Sequence, residues 1–216
     1  MGMRTRLWRQ RGLNFLARNQ YEQAEQYLRK VYEAEPNVQG ASYNLGVALM
    51  GLKRFDEAQQ FLLDDLEAYG ESFVRFRSLG DLHYMWGNPQ DAAAWYRKAL
   101  DYCEQDPEER MLKKRIKKCA SPESFAHVMK GHEAFDEGNR LIILKRFEEA
   151  LDQFSLAVEY DSTQYLAMNN IGTLYHMYFK ESEKALKMFE RAARYSSMPS
   201  LIKNMEVVKK ALEKKG

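Results

Sequence analysis

The chain has 216 residues, of which 30% are charged and 45% hydrophobic, with 5 Pro and 12 Gly. This composition excludes a disordered or collagen-like chain and is typical of a helix-rich fold. Lys and Arg number 33 against 31 Asp and Glu, so the overall charge does not indicate a dedicated nucleic-acid binder. Cys103 and Cys119 form no C-x-x-C pattern, which argues against a zinc site or a disulfide framework and favours a reducing compartment.

The beginning of the chain carries no targeting signal that we can identify. Residues 1–11 are basic, but the apolar run of a signal peptide does not follow them. No stretch approaches the roughly 18 apolar residues that a membrane-spanning helix needs. The start at Gly2 lacks Ser or Thr at position 6, so the myristoylation pattern is not met. We therefore expect a cytoplasmic protein without membrane insertion.

A small residue followed about twelve positions later by another small residue recurs along the chain. The pairs are Gly12 with Ala24, Gly46 with Ala58, Gly80 with Ala92, Gly138 with Ala150, and Gly172 with Ala185. The first three glycines lie 34 residues apart. A fixed period of this length indicates stacked helix pairs, in which small residues let the two helices approach closely.

On these residues the chain resembles the tetratricopeptide repeat family, whose unit is two antiparallel helices, A and B. The resemblance implies an all-α right-handed superhelix, or α-solenoid, of about five helix-turn-helix units. We expect repeats one to three in residues 5–106, a helical junction in 107–130, repeats four and five in 131–198, and a C-terminal capping helix in 199–215. Arg11, Asp65 and His83 depart from the residues usual in the family.

The junction begins where the period breaks. Asp106-Pro107-Glu108-Glu109 is typical of a helix start, and we predict a helix from about Pro107 to Lys118. Ser121-Pro122 begins a second helix that leads into repeat four. These helices predict a packed junction, and the alternative is a hinge between two halves.

The last helix is predicted from an apolar stripe after Pro199. Its members are Leu201, Met205, Val208 and Leu212, and Lys and Glu dominate the other side. We interpret this helix as a cap for the end of the array. The alternative is an amphipathic helix that binds a partner.

Residues that could carry chemistry are sparse. The four histidines are scattered over different units, and His127 and His132 are five apart, which points them in different directions on a helix. No phosphate-binding loop, nucleophile elbow or dinucleotide motif is present. We predict no catalytic residue, no metal, no cofactor and no small-molecule substrate, and we do not expect an enzyme.

The run Lys113-Lys114-Arg115-Ile116-Lys117-Lys118 is the one concentrated charge. A basic cluster of this kind can contact nucleic acid. Leu112, Ile116 and Cys119 interrupt the run at helical spacing, however, and acidic residues precede it. We favour an amphipathic connecting helix with solvated bases, and nucleic-acid contact remains the alternative.

The concave face supplies the candidate binding site, because in the family the groove is lined by helix A of each repeat. By position, the resemblance implies a partner-binding groove formed by Arg6, Arg9, Tyr43, Asn44, Val47, Met50, Arg77, Asp81, Tyr84, Asn139, Asn169 and His176. Aromatic, Met and Arg side chains suit a peptide or helix with apolar anchors and an acidic group. The alternative is that several of these residues pack against the next unit.

Some family members hold the carboxylate terminus of chaperone tails in a clamp of Lys, Asn and Arg. Of that pattern only Asn44 matches in repeats one to three, and Asn139 and Asn170 match in repeats four and five. We therefore do not predict chaperone-tail binding.

These observations favour a non-enzymatic scaffold or adaptor that binds a peptide or helix of another protein in the groove. Two other functions stay open at this point. One is a self-assembling structural scaffold joined through its terminal faces. The other is a regulator associated with nucleic acid through residues 113–118.

Overall fold

The computed structural model describes residues 2–214, and within this range the chain forms twelve α-helices and no strand. The chain divides into two compact units, one up to Tyr102 and one from Cys103 onward. None of the described helices is both long and apolar enough to cross a membrane. The prediction of an all-α fold built from helix hairpins is confirmed.

Unit 1 is a stack of three helix hairpins, in which each helix packs on the next one along the chain. The helices are α1 (Met3–Leu16), α2 (Tyr21–Ala34), α3 (Ala41–Gly51), α4 (Phe55–Tyr69), α5 (Phe73–Trp86) and α6 (Pro89–Leu100). Its core is aliphatic and contains Leu28, Leu45, Leu62 and Leu79. Helix A of a repeat is thus α1, α3 or α5, and helix B is α2, α4 or α6.

Unit 2 contains the other two hairpins and two additional helices. The helices are α7 (Asp106–Cys119), α8 (Pro122–Ile143), α9 (Phe147–Tyr160), α10 (Tyr165–Met177), α11 (Ser182–Ala192) and α12 (Pro199–Glu213). Ser121 caps α8 by accepting a hydrogen bond from the Ser124 N–H at 3.2 Å. α8 then runs 22 residues without a break, so the second junction helix and helix A of repeat four are one helix.

The repeated glycines lie where helices A and B cross. A Cβ built on Gly46 would lie 2.9 Å from Leu62 Cγ, and one built on Gly80 would lie 2.4 Å from the Tyr96 ring. Gly12, Gly138 and Gly172 make equally close approaches, to Leu28, Phe154 and Phe189. The five alanines paired with these glycines are all 0% exposed. The interpretation of the small residues as close-approach positions is confirmed.

The turn between helices A and B has the same backbone conformation in every repeat. One residue in each turn has a positive φ, and these residues are Asn19 (56°), Lys53 (58°), Gly87 (94°), Lys145 (59°) and Lys180 (60°). Glycine adopts this left-handed conformation without strain, whereas lysine does so at a cost of about 1–2 kcal/mol. The repeat therefore imposes its turn geometry even where the sequence opposes it.

The last helix, α12, packs on α11 and α10. Leu201 is 0% and Val208 1% exposed, and Met205 and Leu212 are half-buried. The predicted stripe is therefore the buried face of this helix. The predicted end of the cap, at residue 215, lies outside the described residues.

Helix α7 is bound to two loops of its own unit. Glu108 Oε1 accepts hydrogen bonds from the N–H and the hydroxyl of Ser197, both at 2.7 Å, in the α11–α12 loop. Lys114 Nζ donates to the Tyr195 hydroxyl in the same loop at 2.6 Å. These contacts join positions 81 to 89 residues apart in sequence.

The other loop contacted by α7 joins α9 to α10 and holds a buried carboxylate. Arg115 Nε donates to Thr163 Oγ1 at 3.2 Å, and the Thr163 N–H and hydroxyl donate to Asp161 Oδ1 at 3.0 and 2.8 Å. Lys118 Nζ lies 3.6 Å from the same oxygen. Burial raises the pKa of Asp161, but Arg115, Thr163 and Lys118 together lower that pKa below its usual value.

These contacts correct the expectation of solvated bases for Arg115 and Lys118, whereas Lys113, Lys114 and Lys117 are exposed. Arg115 is 7% exposed, and the side chain of Lys118 is 19% exposed. Lys113 forms an ion pair with Glu109 one turn earlier in α7. Arg115 and Lys118 thus help to hold unit 2 together, because a buried charge persists only where it is paired.

Candidate functional site

A cleft opens in unit 1 between helices A of repeats two and three. It encloses about 200 Å³ and is lined by Tyr43, Val47, Met50, Val74, Arg77, Ser78 and Asp81. We call it the α3–α5 cleft. Five of the predicted groove residues meet here, because the period of 34 residues aligns α3 with α5 in register. These five are Tyr43, Val47, Met50, Arg77 and Asp81.

A second, larger cleft adjoins the first and shares Tyr43 and Val74 with it. It encloses about 460 Å³ and is lined by Arg9, Val38, Gln39, Gly40, Tyr43, Asp65, Ser72, Val74 and Arg75. We call it the Arg9 cleft. Its lining comes from α1, the α2–α3 loop, α3, α4 and the start of α5. The two clefts together offer an apolar part and an arginine-lined part side by side.

Polar groups fix the wall between the two clefts. The Tyr43 hydroxyl and Ser78 Oγ are 2.9 Å apart, and burial raises the pKa of Tyr43, so the hydroxyl is neutral at physiological pH. Arg77 Nε lies 3.4 Å from Asp81 Oδ2. Val74 beside them is 51% exposed. This wall presents a neutral hydroxyl and an internally paired charge, with an apolar side chain free for contact.

Arg9 is the cation of the cleft that is available to a ligand. It is half-buried and forms no ion pair within residues 2–214. Its Nη2 lies 4.0 Å from the position of a Cβ built on Gly40. An arginine with an unpaired fork of N–H donors binds carboxylate or phosphate oxygens. The Arg9 cleft is therefore suited to an anionic group.

Asp65 and Arg75 form the floor of the Arg9 cleft, and the repeat pattern did not identify them. Arg75 Nε donates to Asp65 Oδ2 at 2.7 Å, and its Nη1 donates to Ser72 Oγ at 3.3 Å. Asp65 is 1% exposed. This pair joins helix B of repeat two to helix A of repeat three. The pairing with Arg75 explains why Asp65 stands where Ala is usual in the family. That departure was the one feature of the sequence that could have indicated the pair.

The remaining predicted groove residues of unit 1 lie outside these clefts. Arg6 is exposed on α1. Asn44 Nδ2 donates to the Gly40 carbonyl at 2.6 Å. Tyr84 is 1% exposed, and its ring packs edge-on against Tyr96 with the centroids 5.8 Å apart. A side chain buried to this degree offers no surface to a ligand, so Tyr84 is not part of the site we propose.

The predicted groove residues of unit 2 are each bound to a neighbour in the same unit. Asn139 Oδ1 accepts from Asn170 Nδ2 at 3.3 Å. Asn169 Oδ1 accepts from Asn204 Nδ2 on α12 at 3.0 Å. His176 Nδ1 lies 3.2 Å from Ser182 Oγ. The side-chain oxygen of Asn169 is thus already hydrogen-bonded to α12. Asn139, Asn169 and His176 do not line a common cleft.

The described residues offer no arrangement for metal binding. Within residues 2–214, no group of three or more His, Cys, Asp or Glu side chains could hold an ion. Cys103 and Cys119 are both half-buried, and neither forms a disulfide. What the clefts of unit 1 can do is bind apolar and anionic groups by contact, hydrogen bonding and ion pairing.

The stacked hairpins, their glycine crossings and the cleft along helices A define a helical-repeat protein. Residues 15–82 match the family model described as tetratricopeptide repeat, and this part of the chain is built from such repeats. Repeats of this family are generally non-enzymatic modules for protein interaction. No curated protein sequence matches the chain.

Solved structures of similar fold cover most of the chain at low identity. YrrB, a TPR protein with an unusual peptide-binding site, is 23% identical over 92% of this chain and 88% of that chain, with a TM-score of 0.42. MamA MSR-1 C2 is 19% identical over 88% and 95%, with a TM-score of 0.47. The TPR2AB domain of yeast Sti1 complexed with pHSP90 is 16% identical over 97% and 84%, with a TM-score of 0.45.

Proposed function

We propose that the chain is a cytoplasmic, non-enzymatic adaptor that binds a peptide or helix of a partner protein in the two clefts of unit 1. The observation that carries the proposal is the adjacency of the α3–α5 cleft and the Arg9 cleft around Tyr43 and Val74. An apolar side chain of the partner enters the first cleft, and an acidic group of the partner pairs with Arg9 in the second.

The chemistry of the lining supports this type of ligand. Tyr and Arg contribute strongly to binding energy in protein interfaces, because they combine a large contact area with directional hydrogen bonds. Arg77 and Arg75 are already paired with carboxylates of the chain. The unpaired Arg9 therefore supplies the attraction for an anionic group.

The nucleic-acid alternative is not favoured, because the basic run of α7 is largely engaged. Lys114, Arg115 and Lys118 are bound to Tyr195, Thr163 and Asp161 within unit 2. Nucleic-acid binding depends on bases that can release counterions on contact with phosphates. Bases held in internal hydrogen bonds are not free to do this.

A matched pair of surface substitutions tests the clefts. Val74→Glu places a carboxylate between them, and Val207→Glu places the same group on α12, where Val207 is 48% exposed. Neither change removes a buried side chain, so both variants should fold. We expect partners captured by the wild-type chain to be kept by Val207→Glu and lost by Val74→Glu and by Arg9→Glu.

Photo-crosslinking identifies the contact directly. A benzophenone amino acid at position 74 should crosslink to the captured partner, and one at position 207 should not. Mass spectrometry of the crosslinked peptide then shows whether the partner segment carries apolar and acidic residues. Equal crosslinking from both positions, or a partner kept by Val74→Glu, would refute the proposed site.

A further inference from the structure

The Arg9 cleft lies at the beginning of helix α3. Residues 38–40, which precede the helix, line the cleft together with Tyr43 of the first turn. The first N–H groups of an α-helix point along the helix axis, out of its beginning, and have no partner within the helix. The beginning of α3 therefore forms a wall of the cleft that offers hydrogen-bond donors.

Two of these donors have no acceptor. Gly40 is the N-cap residue, and no side chain caps the helix there. The N–H groups of Ser42 and Tyr43 make no hydrogen bond within residues 2–214. The first turn of α3 also contains no acidic residue. The partial positive charge of a helix beginning, about half an elementary charge, is thus not balanced by a neighbouring acid of the helix.

The guanidinium of Arg9 lies beside this helix beginning, since its Nη2 is close to Gly40. The side chain of Arg9 makes no hydrogen bond and no ion pair within residues 2–214. An arginine fork and the N–H groups of a helix beginning each bind anions. Because both line the same cleft, a single anionic group can accept from both.

A buried carboxylate in the same cleft lacks a donor. Asp65 lines the cleft and is 1% exposed. Its Oδ2 accepts from Arg75 Nε at 2.7 Å, but its Oδ1 accepts no hydrogen bond within residues 2–214. Buried oxygens are normally paired, so a ligand that brings an N–H group completes this site. The cleft therefore suits a ligand that carries an anionic group and an N–H group close together.

The charge of the cleft distinguishes a phosphate from a carboxylate. Asp65 and Arg75 neutralise each other, which leaves about +1 from Arg9 and about +0.5 from the beginning of α3. A phosphorylated side chain carries about −1.5 to −2 at neutral pH and has three acceptor oxygens. A carboxylate carries about −1 and has two oxygens. The phosphate therefore matches both the charge and the number of donors better.

We propose that the acidic group in the Arg9 cleft is the phosphate of a phosphorylated serine or threonine in the partner segment. This inference rests on the proposed function, because it specifies the ligand of the same site. The phosphate accepts from Arg9 and from the N–H groups of Ser42 and Tyr43, and a backbone N–H of the segment donates to Asp65. A short side chain keeps the phosphate near that N–H. Phosphorylation of the partner thus controls its binding.

Small compounds test the proposal on the full chain. The probe is N-acetyl-phosphoserine N-methylamide, and the controls are N-acetyl-glutamate N-methylamide and inorganic phosphate. In NMR titrations, we expect the probe to shift the backbone amide signals of Ser42 and Tyr43. The probe should bind roughly tenfold or more tightly than the glutamate compound. It should also bind at least roughly threefold more tightly than inorganic phosphate, which has no N–H group for Asp65.

Two arginines of α1 provide a matched pair of variants. Arg9→Gln removes the guanidinium from the cleft, whereas Arg6→Gln removes one from the exposed surface of the same helix. Neither side chain makes a hydrogen bond or an ion pair within residues 2–214, so both variants should fold. Arg9→Gln should weaken binding of the probe by roughly tenfold, and Arg6→Gln should leave it unchanged. An equal loss in both variants would mean a general attraction of anions to α1 and would overturn the site.

The captured partner separates this inference from the proposed function. Phosphatase treatment of the partner should abolish its capture by the wild-type chain, and the peptide crosslinked at position 74 should carry a phosphate. A partner that is lost on Val74→Glu but kept after phosphatase treatment leaves the proposed function standing and overturns this inference. The inference is also overturned if the glutamate compound or inorganic phosphate binds as tightly as the probe, or if Arg9→Gln binds the probe as well as the wild type does.

Discussion

Helix α8 contains two glycines whose surroundings differ, and this allows the energy of a helix crossing to be measured. A Cβ on Gly138 would lie 2.6 Å from two carbons of the Phe154 ring. A Cβ on Gly131 would lie 3.3 Å from the Ala157 carbonyl oxygen and from Tyr160 Cβ. The first approach is too close for any side chain without movement of the ring, and the second needs only a small adjustment.

The two alanine substitutions share one favourable effect. Replacing Gly by Ala inside a helix stabilises that helix by about 1 kcal/mol, and this gain is the same at both positions. Overpacking a tight contact costs about 1–3 kcal/mol. We therefore expect Gly138→Ala to be less stable than Gly131→Ala by about 1–3 kcal/mol, as measured by urea unfolding followed by far-UV circular dichroism.

A second substitution locates the cause of that difference. Phe154→Leu removes the ring atoms nearest to Gly138, so the penalty of alanine at 138 should shrink when it is introduced into the Phe154→Leu background. The double-mutant cycle isolates this pairwise energy. If Gly138→Ala is as stable as Gly131→Ala, or if the penalty is unchanged once the ring has been removed, the close crossing is not what the repeated glycine provides.

A buried histidine, a buried ion pair and a left-handed turn give three further predictions. Burial lowers the pKa of His83, and Asp91 only partly offsets this. The unfolded chain therefore binds the proton more readily, so the free energy of unfolding should fall as pH drops below about 6.5. In urea titrations, His83→Gln should lose less of this free energy between pH 7.5 and 5.5 than the wild type does. An equal loss in the two proteins would contradict the assignment of the effect to His83. Asp65→Ala leaves Arg75 without its carboxylate and should lower the free energy of unfolding by about 3 kcal/mol, whereas a change under about 0.5 kcal/mol would mean that Arg75 turns to solvent at no cost. Lys145→Gly should be more stable than Lys145→Ala by about 1 kcal/mol in thermal melts, and the reverse order would argue against the left-handed turn.

The architecture could be predicted from the sequence because the repeat enforces it. Gly46 and Ala58 are informative at their spacing only because the same pair recurs in the other repeats. Side chains that line the α3–α5 cleft, such as Tyr43 and Arg77, could be assigned through the resemblance, since helix A has a fixed face toward the groove. Tyr84 is the counterpart in repeat three of Met50, which lines the cleft, but the Tyr84 ring is buried against Tyr96. The position in the repeat determines which way a side chain points, but it does not determine how deeply that side chain is buried.

Contacts between distant positions could not be predicted in this way. Asp65 was visible only as a departure from the pattern, because its partner Arg75 belongs to the next repeat. The bases of α7 have the spacing of a solvated helix face, and their partners lie 42 to 81 residues later, in or beside loops without a sequence signature. Arg115 is therefore buried for a reason that no local window of sequence contains.

The contacts of α7 also set an order of events during synthesis of the chain. Neighbouring hairpins pair residues close in sequence, so they can fold as soon as they are made. Glu108 must wait until Ser197, 89 residues later, has been added, which takes roughly 4 to 18 seconds at ordinary rates of translation. Throughout that interval α7 lacks the loop that Glu108 and Lys114 bind. Docking of α7 on the α11–α12 loop is thus a late step of folding. Of the hydrogen bonds of unit 2 described above, those between Glu108 and Ser197 join the residues farthest apart in sequence.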